Sequence, residues 1–155
     1  MTGEIESRIA KLGFALPRAT KPVANYVPYV ITGNLVVISG QITVGAGGIE
    51  YVGKLGADFD VETGRKAAQL CALNVLAQLK AACEGDLDRV ARCVRIGGFV
   101  NATPDFKDHP AVVNGASDLI AEVFGARGQH ARSAFGVSSL PFGVAVEVEA
   151  MFEIT

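Results

Sequence analysis

The sequence is poor in charge, cysteine and histidine, and it has no long apolar run. Charged residues make up 19% of its 155 positions and the net charge is −2, which gives no sign of a surface adapted to nucleic acid or to an anionic membrane. No apolar run approaches the roughly 20 residues of a transmembrane helix, and the acidic, amphipathic N-terminus does not resemble a signal peptide. We therefore expect a cytoplasmic protein with no membrane or nucleic-acid partner.

The scarce cysteines and histidines exclude several kinds of site. Cys71, Cys83 and Cys93 are odd in number, form no CxxC pair and stand among apolar residues. This pattern predicts buried reduced thiols, with no disulfide and no metal site. His109 and His130 fall in predicted loops, where a lone histidine is more often exposed than catalytic. No pair of histidines suited to RNA cleavage is evident.

What the chain does have is enough apolar residues for one ordered domain. Half of its residues are hydrophobic, and its length suits a single domain over residues 1–155. Within it, residues 1–22 are predicted to hold a short helix and a connector. Ile5, Ile9 and Leu12 repeat at helical spacing, and the two prolines of LPRATKPVAN predict an extended connector after this short helix.

Strand-like segments alternate with two main helices. YVPYVIT and LVVISGQI flank Gly33-Asn34, which suits a hairpin turn. RVARCVRIGGFVNA predicts a long strand with a bulge or bend at Gly97-Gly98, and two last strands surround Leu140-Pro141. The intervening GAGG segment lacks the spacing and lysine of a phosphate-binding loop, so we expect a flexible surface segment there.

The helices complete the predicted fold. Small and apolar residues at helical spacing predict a helix from Val61 to Cys83, with Asp60 as its N-cap. A second helix is predicted from about Ala111 to Phe124. The order β-β-α-β-α-β-β, after the N-terminal helix, predicts an α+β domain whose two main helices cover one face of a mixed, mostly antiparallel sheet.

The last strand shows which face of the sheet the helices leave open. Its valines alternate with Glu147, Glu149 and Glu153, so the glutamates should face away from the core. Other strands, such as VVIS and CVRIGGFV, are apolar on both sides, and two helices cannot easily cover both faces of a sheet. We therefore expect a homo-oligomer in which another subunit covers the open face.

Arg132 stands close to these glutamates in the sequence and has two interpretations. It could pair across strands with Glu147 or Glu149, which is the simpler interpretation from side-chain chemistry. Alternatively, its rigid donor fork could recognise the carboxylate of a small acid. The residue types alone do not decide between the two.

The C-terminal segment ARSAFGVSSLPFGVAVEVEAMF resembles the signature of the RidA/YjgF family of reactive-intermediate (enamine/imine) deaminases. That signature reads roughly R-S-x-x-x-V-x-x-L-P-x-x-x-x-V-E-I-E-A. The first hairpin with its S-G-Q, both main helices and the long strand are similar to the family's in order and spacing. The resemblance covers Val23 to Glu153 and leaves the N-terminal helix as an addition.

The resemblance implies a fold, an assembly and a reaction. Family members are trimers of a chorismate-mutase-like (bacillus-type) fold with sites between subunits. The implied reaction is hydrolysis of 2-imino acids, or enamines such as 2-aminoacrylate, to 2-keto acids and ammonia, as in 2-iminobutanoate/2-iminopropanoate deaminase. No metal or organic cofactor is implied. Arg132 would grip the substrate carboxylate and Glu147 would hold or activate water, while Tyr26, Ser39 and Asn114 would line the pocket.

The chain also departs from the family pattern. Ala134 stands where the deaminases often have cysteine, and Ser117, Asp118 and Val123 replace most aromatic positions of the second helix. A non-catalytic trimer that binds or senses small carboxylic acids on the same scaffold is therefore the alternative function. Ribonuclease activity, for which some relatives are named, fits the weak acidic charge poorly.

Overall fold

In the computed structural model, which describes residues 3–22 and 24–155, two long helices pack on one face of a five-stranded sheet. This is the predicted α+β architecture, and the two main helices lie close to their predicted positions. The α-helices are α1 (Glu4–Lys11), α2 (Val61–Ala82) and α3 (His109–Phe124).

The strands form one large sheet and one small hairpin. The large sheet has the order β1-β2-β7-β5-β6, in which β5 and β6 run parallel and the other neighbours antiparallel. The hairpin of β3 and β4 lies in the glycine-rich segment, where no strand was predicted. The strands are β1 (Tyr29–Thr32), β2 (Leu35–Gln41), β3 (Val44–Gly45), β4 (Gly48–Ile49), β5 (Val90–Asn101), β6 (Ala131–Val137) and β7 (Val146–Ile154).

Local signals account for most element ends. The Asp60 side chain accepts the backbone N–H of Thr63 at 2.9 Å, as an N-cap does. Helix α3 begins two residues earlier than predicted because Pro110 is compatible with the first turn of a helix, where no N–H donor is needed. Gly33 has a φ of 60° in the two-residue turn between β1 and β2, which confirms the predicted hairpin.

The glycine pair of β5 has a role other than the predicted bulge. Gly97 and Gly98 keep regular register with both neighbouring strands. The register shifts between β5 and β7 lie before them, between Val90 and Arg92 and between Cys93 and Arg95. A Cβ on Gly98 would lie 2.5 Å from the Val113 methyl groups of α3. The missing side chain of Gly98 therefore lets helix α3 approach the sheet closely.

The core lies between the helices and the sheet. Val146, Val148 and Phe152 of β7 are almost fully buried, whereas Glu149 is exposed, so the predicted alternation is confirmed. The three cysteines are buried and free, as predicted. Burial raises the pKa of their thiols, that of Cys93 to about 12, which keeps them protonated and unreactive.

Helix α1 is docked on the domain by apolar and polar contacts. Ile5 and Ile9 are buried in the core, and the carboxylate of Asp88 accepts the backbone N–H groups of Glu4 and Ile5, each at 2.9 Å. Asp88 also lies near two other acidic side chains. Its hydrogen bonds to α1 show that it caps this helix, as a carboxylate at a helix N-terminus does.

The face of the sheet away from the helices carries apolar side chains. Val30 is 51% exposed, Val37 38% and Phe135 48%. Among the helices of residues 3–22 and 24–155, none has the length and hydropathy needed to cross a membrane.

Candidate functional site

Three of the predicted site residues line one cavity. Tyr26, Ser39 and Glu147 face a space of about 320 Å³ beside the end of β2 and the start of β7. Most of the remaining wall is apolar, so a small ligand there would be partly withdrawn from water.

The bend at the end of β2 shapes this cavity. The pairing of β2 with β7 shifts register between Ile38 and Gln41, so Ser39 and Gly40 lie in an irregular stretch. A Cβ on Gly40 would be 2.9 Å from Oε1 of Glu147, which means that glycine makes room for the carboxylate. The Ser39 hydroxyl donates to the carbonyl of Val27 at 2.7 Å, which ties the segment after Tyr26 to β2.

The carboxylate of Glu147 is the chemically distinctive group of the cavity. Its side chain is half-buried, and burial, together with the nearby charge of Glu149, raises its pKa above the usual glutamate value. No residue of 3–22 or 24–155 donates a hydrogen bond to it or pairs with it as a cation. A carboxylate in this environment suits proton exchange closer to neutral pH than an ordinary glutamate does.

Several other cavity residues were not predicted from the sequence. Val44 and Ile49 of the β3–β4 hairpin, with Ile42 just before it, form one wall. The Asn74 amide of α2 donates to the carbonyls of Ile42 and Val44. The segment expected to be a flexible surface loop is thus an anchored part of the pocket. No short-range pattern reveals this, because the hairpin is held by a helix 30 residues away.

Phe142 is a further unpredicted wall residue. It lies in the turn between β6 and β7, has a φ of 59° and is 64% exposed. A bulky residue in the left-handed region is strained. The LPFG stretch signals a turn, but it does not reveal that the aromatic ring borders the cavity.

Arg132 and Asn114 lie together elsewhere. Nη1 of Arg132, on β6, donates to Oδ1 of Asn114 at 2.8 Å and to Oγ of Ser117 at 3.2 Å, both on α3. Its Nη2 reaches the carbonyl of Pro110 at 3.5 Å. Arg132 and Asn114, both predicted site residues, are thus in contact, and the guanidinium is held at the edge of helix α3.

A histidine stands behind this contact. His130 Nε2 lies 2.8 Å from Ser117 Oγ, and its Nδ1 lies 2.6 Å from the carbonyl of Gly128. Because a carbonyl only accepts, Nδ1 must carry a proton. In the neutral ring Nε2 then accepts the Ser117 hydroxyl proton, while the hydroxyl oxygen accepts from Arg132. We name Ser117, His130 and Gly128 the arginine support; His130 is therefore half-buried and bonded, and not an exposed loop residue.

The two groups of site residues occupy opposite faces of the sheet. Arg132 aligns with Ile96, which is buried under the helices, whereas Glu147 aligns with Phe99 and Phe135 of the other face. Strand β5 separates β6 from β7. The interpretation of Arg132 as a cross-strand partner of a β7 glutamate is therefore wrong, because the strands are not neighbours and no described carboxylate lies within 4.0 Å of this guanidinium.

Comparison with known proteins identifies the family. A family profile described as "YjgF/chorismate mutase-like, putative endoribonuclease" matches residues 6–153. The chain belongs to the YjgF family. It is 47% identical over 154 residues to "Protein TCP17" of Trypanosoma cruzi, and the alignment covers 99% of this chain and 96% of that protein.

Solved structures are similar to this chain to different degrees. Atu1372 of Agrobacterium tumefaciens, whose function is described as unknown, is 49% identical with a TM-score of 0.92, over 97% of this chain and 92% of that one. Escherichia coli TdcF with bound serine is 25% identical with a TM-score of 0.64, over 89% and 94%. The lower TM-score shows that this chain differs more from TdcF than from Atu1372.

Near Arg132, β6 carries two of the chain's small residues. Ala134 and Gly136 follow Arg132 at every second position, on the same face, and the ring of His109 packs over Gly136 and edge-on to Phe106 with ring centres 5.3 Å apart. Ala134 leaves no thiol at this position, so any chemistry beside Arg132 uses other groups.

Proposed function

We propose that this YjgF protein hydrolyses 2-imino acids and their enamine tautomers to 2-keto acids and ammonia, in a pocket formed between subunits of a homotrimer. The observation that carries the proposal is the half-buried Glu147 carboxylate, which has a raised pKa and lies in a small cavity with Tyr26 and Ser39.

The reaction needs a carboxylate clamp and a base, and the chain supplies both on different surfaces. Arg132, oriented by Asn114, offers free donors to a substrate carboxylate. Glu147 offers a proton acceptor for water. Because the two lie on opposite faces of one chain, one subunit's Arg132 would complete the cavity that holds another subunit's Glu147. The exposed apolar side chains of Val30 and Phe135 support such an assembly.

The steps balance without a metal or an organic cofactor. Glu147 takes a proton from water as the water oxygen bonds to the imine carbon, and the C=N electron pair moves to nitrogen, which takes a proton from solvent. In the resulting carbinolamine the hydroxyl gives its proton to solvent and the C=O bond forms as the C–N bond breaks, so that ammonia leaves with the proton that Glu147 returns. Arg132 holds the carboxylate throughout, which fixes the reacting carbon beside the water. Ala134 does not impair this route, since no thiol takes part.

An assay with freshly made imines tests the proposal. An amino-acid oxidase generates the 2-imino acid, and its loss is followed with and without the protein. We expect clear acceleration by the wild type, near-complete loss in Arg132→Ala and Glu147→Gln, and partial activity in Arg132→Lys, which keeps the charge but lacks the planar fork. Equal rates for wild type and Arg132→Ala across several imines would exclude the deaminase function.

The assembly has its own measurement. Sedimentation at micromolar concentration should give a trimer, and a monomer would exclude the shared pocket. Mixing inactive Arg132→Ala with inactive Glu147→Gln subunits should restore part of the activity, because each mixed trimer contains one intact pocket. Absence of any recovery in a verified mixed trimer would contradict the shared site.

A non-catalytic small-acid binder is the second candidate, and it is supported by the bound serine in the structure of the relative TdcF. In that case a keto acid would protect the protein against heat, Arg132→Ala would abolish the protection, and no imine would be consumed. The endoribonuclease named in the family description is less well supported, because Lys21 is the sole cationic residue among the described residues that line the cavity.

A further inference from the structure

The N-terminal addition reaches the cavity of Glu147. Residues 12–22, which we name the connector, follow helix α1 and run across α2. There the Gln78 amide, only 2% exposed, donates from Nε2 to the carbonyl of Thr20 at 2.7 Å. Immediately beyond this contact, Thr20, Lys21 and Pro22 line the cavity.

The connector is held at both ends. At its start, helix α1 is docked through Ile5 and Ile9, and the Arg8 guanidinium donates to the carbonyl of Val123 at 3.0 Å. At its far end, the buried Gln78 amide would lose its hydrogen bond if the connector moved away, which is costly in an apolar environment. The wall made by the connector is therefore a structural part of the pocket.

Lys21 gives this wall a positive charge. It is the cationic residue of the described lining, and Glu147 is the acidic one. No described carboxylate lies within 4.0 Å of its ammonium group. A neutral substrate side chain would gain no ionic interaction from this charge. A negatively charged side chain would be attracted by it, and this attraction would offset the repulsion between Glu147 and a second carboxylate in the same small space.

We propose that the connector sets substrate specificity and that Lys21 binds a second carboxylate, so that 2-imino acids with an acidic side chain are the preferred substrates. This inference rests on the proposed function. Arg132 of a neighbouring subunit takes the carboxylate next to the imine, the apolar wall takes the methylene groups, and Lys21 takes the distal carboxylate.

Two imines that differ in the side chain test the inference. They are made in situ by oxidases from glutamate and from leucine, and kcat and KM are measured for each. Lys21→Gln should raise KM for the glutamate-derived imine about fivefold, the size expected of a solvent-exposed ion pair, and leave its kcat and the leucine-derived imine nearly unchanged. Lys21→Arg should keep the wild-type preference, and Lys11→Gln, an exposed lysine of α1, should change nothing.

A binding measurement separates this inference from the proposed function. The dicarboxylate 2-oxoglutarate should protect the wild type against heat more than the monocarboxylate 4-methyl-2-oxopentanoate, and Lys21→Gln should remove the difference. Equal effects of Lys21→Gln on both imines, or equal protection of the wild type by both keto acids, would overturn the role of Lys21. If neither imine is consumed by the wild type, the proposed function fails, whatever the keto acids show.

Discussion

Replacing Ser117 by alanine should loosen Arg132 without removing it. The hydroxyl accepts one guanidinium N–H at 3.2 Å and links it to His130, while the bond from Arg132 to Asn114 at 2.8 Å stays in place. The variant therefore tests whether the arginine support positions the side chain of Arg132. The side chain that meets the substrate in the proposed site is left intact.

The expected size follows from the geometry. A hydrogen bond to a charged group contributes about 1.5–3 kcal/mol in a good, buried geometry. The Arg132–Ser117 bond is long at 3.2 Å and half-buried, so solvent replaces part of it and about 1 kcal/mol remains. That corresponds to about a fivefold change in an equilibrium constant. Because Arg132 would hold the carboxylate equally in the ground and transition states, the change should appear in KM and leave kcat nearly constant.

The assay is steady-state imine hydrolysis with matched serine variants. Ser133 lies next to Arg132 on β6 but on the opposite face, where it accepts from Arg95 at 3.1 Å. Ser133→Ala should thus leave KM unchanged, and Ser117→Thr, which keeps a hydroxyl, should restore much of the wild-type value. An unchanged KM in a folded Ser117→Ala protein would refute the positioning role, as would an equal rise in both alanine variants.

Three further predictions concern stability and pH. Gly98→Ala places a methyl group 2.5 Å from Val113, so the free energy of unfolding should fall by about 1–3 kcal/mol. In thermal denaturation, the double variant Gly98→Ala/Val113→Ala should recover part of this lost stability. The N–H donors of α1 lower the pKa of Asp88 in the folded protein. The stabilisation from its ionised carboxylate is therefore present above the unfolded-state pKa of about 3.9, and it is lost as the pH falls through the lower folded-state pKa. Calorimetry should show Asp88→Asn less stable than wild type at pH 7, with the difference shrinking as the pH falls below about 3.9, and a constant difference would contradict this. Burial raises the pKa of Glu147. As the pH is lowered, kcat/KM should therefore begin to fall at a pH above the usual glutamate pKa of about 4.3. A pH profile that is flat down to pH 4 would contradict a base role for Glu147.

Much of the fold is predictable because its signals are local. The alternation along Val146–Ile154 and the N-cap of α2 at Asp60 depend on backbone geometry over a few residues. The two-residue turn at Gly33 is of the same kind. Such features stay the same wherever the element ends up in the sheet.

The features that the sequence did not explain share a physical cause. Gly97 and Gly98 suggest a bend when β5 is considered alone, but their glycine character serves contacts with Glu149 and Val113, which lie on other elements. Ser117 looks like a departure from the family pattern, and it becomes an acceptor for Arg132 only once α3 lies against β6. Both features depend on residues far apart in the sequence.

The sequence by itself determined the helices, the strands of the large sheet, the family signature and the residue types of the candidate site. Only the tertiary structure decided that β5 lies between β6 and β7, which puts Arg132 and Glu147 on opposite faces. It also brought the N-terminal connector and the glycine-rich hairpin to one cavity. Local periodicity sets which side of a strand faces the core, whereas the order of strands and the walls of a pocket come from packing between distant segments, which no short pattern encodes.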